Sequence, residues 1–159
     1  MGGVAQLAIQ AGHTVTGSDQ NVYPPMSDQL AAAGVRIEQG YLADQLAIKP
    51  DLWVVGNAVS RGNPLLEAIL NAGERYTSGP QWMSENVLQG RHVLAVAGTH
   101  GKTTTTSLLA WILHFAGMNP GFLVGGVPTD FGHSAQLGTG KTFVIELSLI
   151  HISEPTRRS

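Results

Sequence analysis

Cysteine is absent from the 159 residues. Disulfides, thiolate nucleophiles and Cys-ligated metals are therefore excluded, and a reducing compartment is compatible with the chain. Charge is sparse: charged residues make up 13 %, with nine Lys and Arg against eleven Asp and Glu, a net charge of −2 and no basic block. A protein that grips a nucleic-acid backbone needs clustered cations, so no nucleic-acid partner is expected. No apolar run approaches the ~20 residues of a membrane helix, and the first residues do not follow the charged-then-apolar pattern of a leader. The expectation is a soluble, cytoplasmic protein with no membrane partner. Glycine, in contrast, is plentiful at 20 residues, and 43 % of the chain is hydrophobic. That combination fits a packed core interrupted by tight strand-to-helix turns, in one ordinary domain or two small ones.

Short apolar runs alternate with helical patterns along the chain, which predicts an α/β fold built from βα units around parallel strands. Val4, Leu7, Ala8 and Ala11 recur at helical spacing before Gly12. "HTVTGSD" reads as a strand ending in Asp19, Ser27 as the N-cap of a helix that stops at Gly34, and "VRIEQ" as a strand. "LWVVGNA" reads as a fully buried strand. Asn63 followed by Pro64 marks a helix start, and Gly73 its end. "PQWMSENVL" reads as a further helix, and "HVLAVAG", "GFLVGGV" and "TFVIEL" as strands, the first of them buried. Leu108, Leu109, Ile112, Leu113 and Ala116 are expected to form the buried stripe of a longer helix. A domain boundary is expected near Gln89-Gly90, where one αβ series ends.

The richest local signal is "AVAGTHGKTTTT", residues 95–106. An apolar strand, a turn holding Gly98 and Gly101, and a helix follow one another. Glycines let the backbone bend tightly and bring its N–H groups to an anion. The first helical turn adds unpaired N–H groups and the positive end of the helix dipole. Lys102 supplies a full charge for terminal phosphates, and Thr103 a hydroxyl able to ligate Mg²⁺. The general phosphate-loop pattern has a glycine where this chain has Val96, so the shorter form Gly-Thr-His-Gly-Lys-Thr is present. Its position between strand and helix supports a phosphate site over an ordinary glycine turn. Glu146 closes the strand "TFVIEL". Alone it would read as a solvated strand-end carboxylate. Beside a triphosphate loop it reads as a second metal anchor.

In the first half of the chain, Asp19 follows a strand of a βαβ unit, where an acid can accept a ribose hydroxyl. Asn57, Ala58 and Ser60 lie just past a strand's carboxyl end, where open parallel sheets bind ligands; turn capping accounts for them equally well. Arg61 and Asn63 are weaker candidates, Asn63 reading mainly as a helix cap.

Taken with "GSDQNVYPPMS", "VVGNAVSRGNP" and "VGGVPTDFG", the glycine-lysine-threonine turn resembles the Mur ligases over about residues 1–146. The resemblance implies a Rossmann-like N-terminal domain (1–89) that binds a UDP-sugar, followed by the start of a phosphate-loop central domain (90–146) that binds ATP. A third domain of the family receives the amino substrate. It implies ATP-dependent amide-bond formation by way of an acyl phosphate. The "NVYPPMS" and "GGVPTDFG" segments point to the branch that joins UDP-N-acetylmuramate to the murein tripeptide L-Ala-γ-D-Glu-meso-diaminopimelate, in peptidoglycan recycling. An L-alanine-adding ligase, a dinucleotide-dependent oxidoreductase and a non-catalytic nucleotide-binding module are the alternatives. Carried onto matching positions, Gly98, Thr99, His100, Gly101, Lys102, Thr103 and Thr104 would hold the ATP phosphates, with Thr103 and Glu146 on Mg²⁺. Lys102 and His100 form the candidate catalytic set, though a surface turn histidine explains His100 as well. Ser18, Asp19, Asn57, Ala58 and Ser60 form the candidate substrate edge.

The resemblance begins in mid-motif at Met1-Gly2-Gly3 and ends at Glu146. The first domain is therefore expected to lack an inner strand and part of its UDP-phosphate loop. Residues 147–159 carry no family pattern and read as a foreign tail, and the 159-residue chain by itself is expected to be inactive.

Overall fold

The computed structural model describes residues 1–126 and 131–147. They fall into two compact units, residues 1–89 and residues from Gly90 onward.

The first unit alternates helices and short strands. Helix α1 (Gly2–Gln10) leads to strand β1 (Thr16–Asp19), α2 (Met26–Ala32) to β2 (Arg36–Gln39), and a 3₁₀ turn (Ala43–Ile48) to β3 (Trp53–Val55). Then come α3 (Pro64–Ala72), β4 (Tyr76–Ser78) and α4 (Gly79–Met83), which runs on into a π turn (Ser84–Leu88). The strands pair in parallel as two separate two-stranded sheets, β1 with β2 and β3 with β4. No strand joins these pairs among the described residues. Two-stranded sheets are marginal alone, so the helices carry the burial: Leu7, Leu30, Leu65, Ile69, Trp82 and Met83 are all buried.

Local chemistry sets the helix ends. Asn63 Oδ1 accepts the N–H groups of Leu65 and Leu66, each at 3.1 Å, and Pro64 stands in the first turn where no N–H is needed. Such a cap is worth about 1 kcal/mol. Gly73 closes α3 with φ of 67°, a left-handed conformation that glycine adopts without a Cβ clash. At α2 the expectation fails. The helix starts two residues earlier, at Met26, with Pro25 in place of Ser27 at its cap, and the Ser27 hydroxyl donates to Asp28 Oδ1 at 3.2 Å instead of capping. The Ser27 N–H already bonds to Tyr23 O, so the turn closes without a side-chain cap. Strand β3 is half-buried rather than fully buried, because it pairs with one strand only.

The second unit has one four-stranded sheet: β5 (His92–Ala97), β6 (Gly121–Leu123), β7 (Ala135–Gln136) and β8 (Thr142–Leu147), in the order β5-β8-β6-β7. Only the β6–β7 pair is antiparallel. Helix α5 (Lys102–Phe115) crosses between β5 and β6. The core holds Ala110, Phe122, Val124 and Val144, with Leu94, Leu109, Leu113 and Phe131 packed against it.

Two expectations are corrected here. Among the described residues β5 is an edge strand, and His92, Val93, Ala95 and Ala97 are exposed. The buried stripe of α5 is Thr106, Ala110 and, half-buried, Leu109 and Leu113, whereas Leu108 is 55 % and Ile112 49 % exposed and Ala116 is exposed beyond the helix end. Leu108 and Ile112 sit about 100° around the helix from Leu109 and Leu113, so they form a second apolar face. Trp111 and Phe115 stack on the exposed side at 5.5 Å.

Candidate functional site

In the second unit, β5 delivers the chain into the glycine turn and α5 leaves it. Gly101 is the N-cap of α5 with φ of 76° and 2° for ψ, a left-handed residue that no β-branched side chain would hold without strain. No side chain caps the helix, and its first hydrogen bond runs from the Thr105 N–H to Gly101 O at 2.9 Å. The N–H groups of the first turn, Lys102 to Thr104, therefore have no partner of this kind and the helix dipole adds to them. Lys102 Nζ folds back and donates to Gly98 O at 2.7 Å, so the ammonium lies over the turn it would share with a phosphate. Thr106 and Ser107 donate to the carbonyls of Lys102 and Thr103 one turn back and face the helix, not the loop. Thr99, His100, Thr103 and Thr104 are exposed.

Strand order brings Glu146 to this turn. Strand β8 lies directly beside β5, with Glu146 opposite Val96, although 50 positions separate them. Glu146 is half-buried rather than fully solvated. Its Oε2 is buried and has no hydrogen-bond partner among the described residues. An unpaired buried carboxylate oxygen is costly, and a divalent cation is the kind of group that would satisfy it. No group of three or more His, Asp or Glu side chains able to hold a metal occurs among the described residues. A single carboxylate with a threonine hydroxyl suits Mg²⁺ bound mainly through phosphate oxygens and waters, not a cation caged by protein.

The candidates of the first unit do not form one cluster. Ser18 and Asp19 end β1, and Asp19 Oδ1 accepts the Asn21 N–H at 3.0 Å, a turn-capping bond. Burial, and then the charge of Asp19, push the Tyr41 hydroxyl pKa up. Asn57, Ala58 and Ser60 follow β3. Of these, Asn57 lines a cleft of about 420 Å³ at the carboxyl ends of β3 and β4, with Val55, Arg61, Leu66, Tyr76 and Ser78. Thr77 also lines it, with a hydroxyl oxygen that has no partner among the described residues. Ser60 gives its carbonyl to the Asn63 N–H.

Arg61 is not a free cation in that cleft. Its Nε donates to Glu67 Oε1 at 2.8 Å, and the Gly62 N–H reaches the same oxygen at 2.9 Å. The Gly62 N–H first, and Arg61 second, lower the Glu67 pKa. A carboxylate with a lowered native pKa contributes stability above its unfolded pKa, and that contribution disappears as pH falls through the native value. An NMR titration is expected to place the Glu67 midpoint below the ordinary carboxylate value of about 4.3. In Arg61→Ala the midpoint should rise only part of the way, because the Gly62 bond remains. A return to the ordinary value would show that Arg61 carries the whole effect.

The glycine pair Gly125-Gly126, just after β6, escaped the sequence reading as a site element. The signal was present as two glycines at the carboxyl end of a strand beside β8. Residues 148–159, most of the expected foreign tail, and residues 127–130 of "GGVPTDFG" lie outside the described residues.

A mainly parallel sheet whose first strand enters a Gly-Thr-His-Gly-Lys-Thr turn and a helix, with an acid on the adjacent strand, defines an α/β protein of the phosphate-loop architectural class. The model of the "Mur ligase family, catalytic domain" matches residues 1–91, and the chain belongs to the Mur ligase family. That match ends before the glycine-lysine-threonine turn. Two curated relatives are each named UDP-N-acetylmuramate–L-alanyl-γ-D-glutamyl-meso-2,6-diaminoheptandioate ligase. The Escherichia coli protein is 58 % and the Haemophilus influenzae protein 53 % identical, each over 146 residues, 92 % of this chain and 32 % of the relative. The chain thus spans about a third of their length. Among solved structures, the UDP-N-acetylmuramate:L-alanyl-γ-D-glutamyl-meso-diaminopimelate ligase of Neisseria meningitides is 53 % identical with a TM-score of 0.86, over 92 % of this chain and 48 % of that one. The murein peptide ligase of Psychrobacter arcticus is 58 % identical with a TM-score of 0.87, over 93 % and 35 %. The UDP-N-acetylmuramate-alanine ligase of Thermotoga maritima, at 24 % identity and a TM-score of 0.82, shares the fold. The N-terminal unit is accordingly Rossmann-like. No helix among the described residues is long and apolar enough to cross a membrane.

Proposed function

We propose that this chain is the N-terminal part of an ATP-dependent ligase that joins UDP-N-acetylmuramate to the murein tripeptide L-Ala-γ-D-Glu-meso-diaminopimelate, in the cytoplasm, during peptidoglycan recycling. Residues 1–89 form its UDP-sugar unit, 90–146 the start of its ATP unit, and 147–159 a segment outside the family pattern. The observation that carries this reading is the junction of the uncapped α5 N-terminus, Lys102 and the buried Glu146 oxygen, which has no partner among the described residues, at the ends of two adjacent strands. The names of the two relatives above 50 % identity supply the substrate class.

In this reading the backbone from Gly98 to Thr104 cradles the phosphates and Lys102 leaves Gly98 O to meet them. Thr103 and Glu146 hold Mg²⁺, which when bound neutralises charge that builds on a transferred phosphoryl group. His100, exposed within the turn, is placed to contact substrate. In the first unit, Asn57 and the cleft it lines receive part of the UDP-sugar, with Ala58 and Ser60 on the following turn. Ser18 and Asp19 hold the nucleotide edge.

The test is an exchange in which the 146 matched residues replace their counterparts in the E. coli relative. ADP release that requires UDP-N-acetylmuramate, the tripeptide and Mg²⁺ is expected. A folded chimera that binds neither ATP nor UDP-N-acetylmuramate would overturn the proposal.

A further inference from the structure

We infer that Gly125 is a positioning residue for the Glu146 carboxylate: lacking a Cβ, it leaves the space that the carboxylate occupies. The inference rests on the reading of Glu146 as a metal anchor. Strand β6 runs parallel to β8 with Phe122 opposite Val144 and Leu123 opposite Ile145. The chain then passes Val124, which is buried and donates its N–H to Ser134 O at 2.9 Å, and reaches Gly125-Gly126. A Cβ at Gly125 would fall inside the contact radius of Glu146 Oε1 and lie 3.1 Å from its Cδ and 3.8 Å from Oε2. The carboxylate therefore occupies the space that a Cβ at position 125 would need. A Cβ at Gly126 would meet only Thr103 Cγ2, at 3.4 Å, an ordinary van der Waals contact.

Conformation does not explain the glycine. Neither Gly125 nor Gly126 has a positive φ, so an L side chain suits both backbones. The steric requirement separates them: position 125 has no room for a methyl unless Glu146 moves, and position 126 does. Consecutive α-carbons stand about 3.8 Å apart, so this pair places the Glu146 carboxylate and the Thr103 side chain against neighbouring residues. Gly125 thereby leaves Glu146 where its Oε2, without a partner among the described residues, and Thr103 can share one cation. Groups that orient a metal ligand commonly alter metal affinity by 10- to 100-fold when changed.

The experiment is a set of variants of this chain, titrated with Mn²⁺ in the presence of ATP and read by electron paramagnetic resonance. Gly125→Ala is expected to weaken Mn²⁺ binding by about tenfold, while Gly126→Ala stays within about twofold. In Glu146→Asp, whose shorter side chain withdraws from the glycine, adding Gly125→Ala should change affinity by less than about twofold; a full effect there overturns the inference even if Gly125→Ala alone is too unstable to titrate. Glu146→Gln separates the two layers. If it leaves Mn²⁺ affinity unchanged, the metal reading of Glu146 fails; if it weakens binding and Gly125→Ala does not, only the positioning role fails. A metal-free arm follows the Glu146 Cδ NMR signal, which Gly125→Ala should shift and Gly126→Ala should not. An unmoved signal in folded Gly125→Ala overturns the inference.

Discussion

Lys102→Ala is expected to weaken Mg²⁺–ATP binding by roughly 10- to 100-fold, since a hydrogen bond to a charged group contributes about 1.5–3 kcal/mol and about 1.4 kcal/mol corresponds to tenfold. Within the turn the ammonium is held by Gly98 O at 2.7 Å. That bond costs something to break when a phosphate arrives, but the carbonyl carries only a partial charge and a terminal phosphate carries a full one. The exchange therefore favours the ligand. Lys102 is half-buried at the first position of α5 and makes no ion pair among the described residues, so its truncation should leave thermal stability nearly unchanged. Isothermal titration of both proteins with Mg²⁺–ATP, alongside a melt, separates a binding effect from an unfolding one. Equal affinities would remove the phosphate assignment of the whole turn.

The second large effect concerns the platform under that turn. Phe143→Ala is expected to destabilise the second unit by about 3–5 kcal/mol, the range for truncating a buried aromatic side chain. Phe143 is fully buried in β8, the strand flanked by β5 and β6. Its ring presses on the Gly121 α-carbon of β6, and the Arg91 guanidinium stands 5.7 Å from its centroid. Losing the ring removes apolar burial, opens a cavity next to a glycine that cannot fill it, and takes a partner from Arg91. Urea unfolding followed by Trp111 fluorescence measures the change. A loss below about 1 kcal/mol would mean that the neighbours collapse into the space.

The two predictions differ in how far sequence could have led to them. Lys102 is legible because its neighbours in space are its neighbours in the chain: glycine, lysine and threonine act within one turn. The Asn63-Pro64 start and the Gly73 stop of α3 belong to the same class, since a cap is satisfied by backbone groups two or three residues away. Ser27 shows the limit of this reasoning, because a serine in the right place did not cap once Pro25 and Tyr23 had closed the turn.

Burial was the less legible quantity. The apolar runs of β3 and β5 predicted enclosed strands, yet one pairs with a single neighbour and the other lies on an edge. In α5 the pattern offered two apolar faces, and the sheet covered the one built on Thr106, Leu109, Ala110 and Leu113. A hydrophobic period states which side chains share a face but not which face meets a partner.

The sequence by itself determined the α/β alternation, the Gly-Thr-His-Gly-Lys-Thr turn between strand and helix, and the likeness to the Mur ligases, because each depends on residues close together along the chain. Tertiary structure alone decided that β8 lies between β5 and β6, that Glu146 therefore stands beside the turn with a buried oxygen unsatisfied among the described residues, and that Gly125 leaves it room. Strand order is settled by long-range hydrogen bonding and packing between segments some 50 residues apart, and no local spacing encodes that competition.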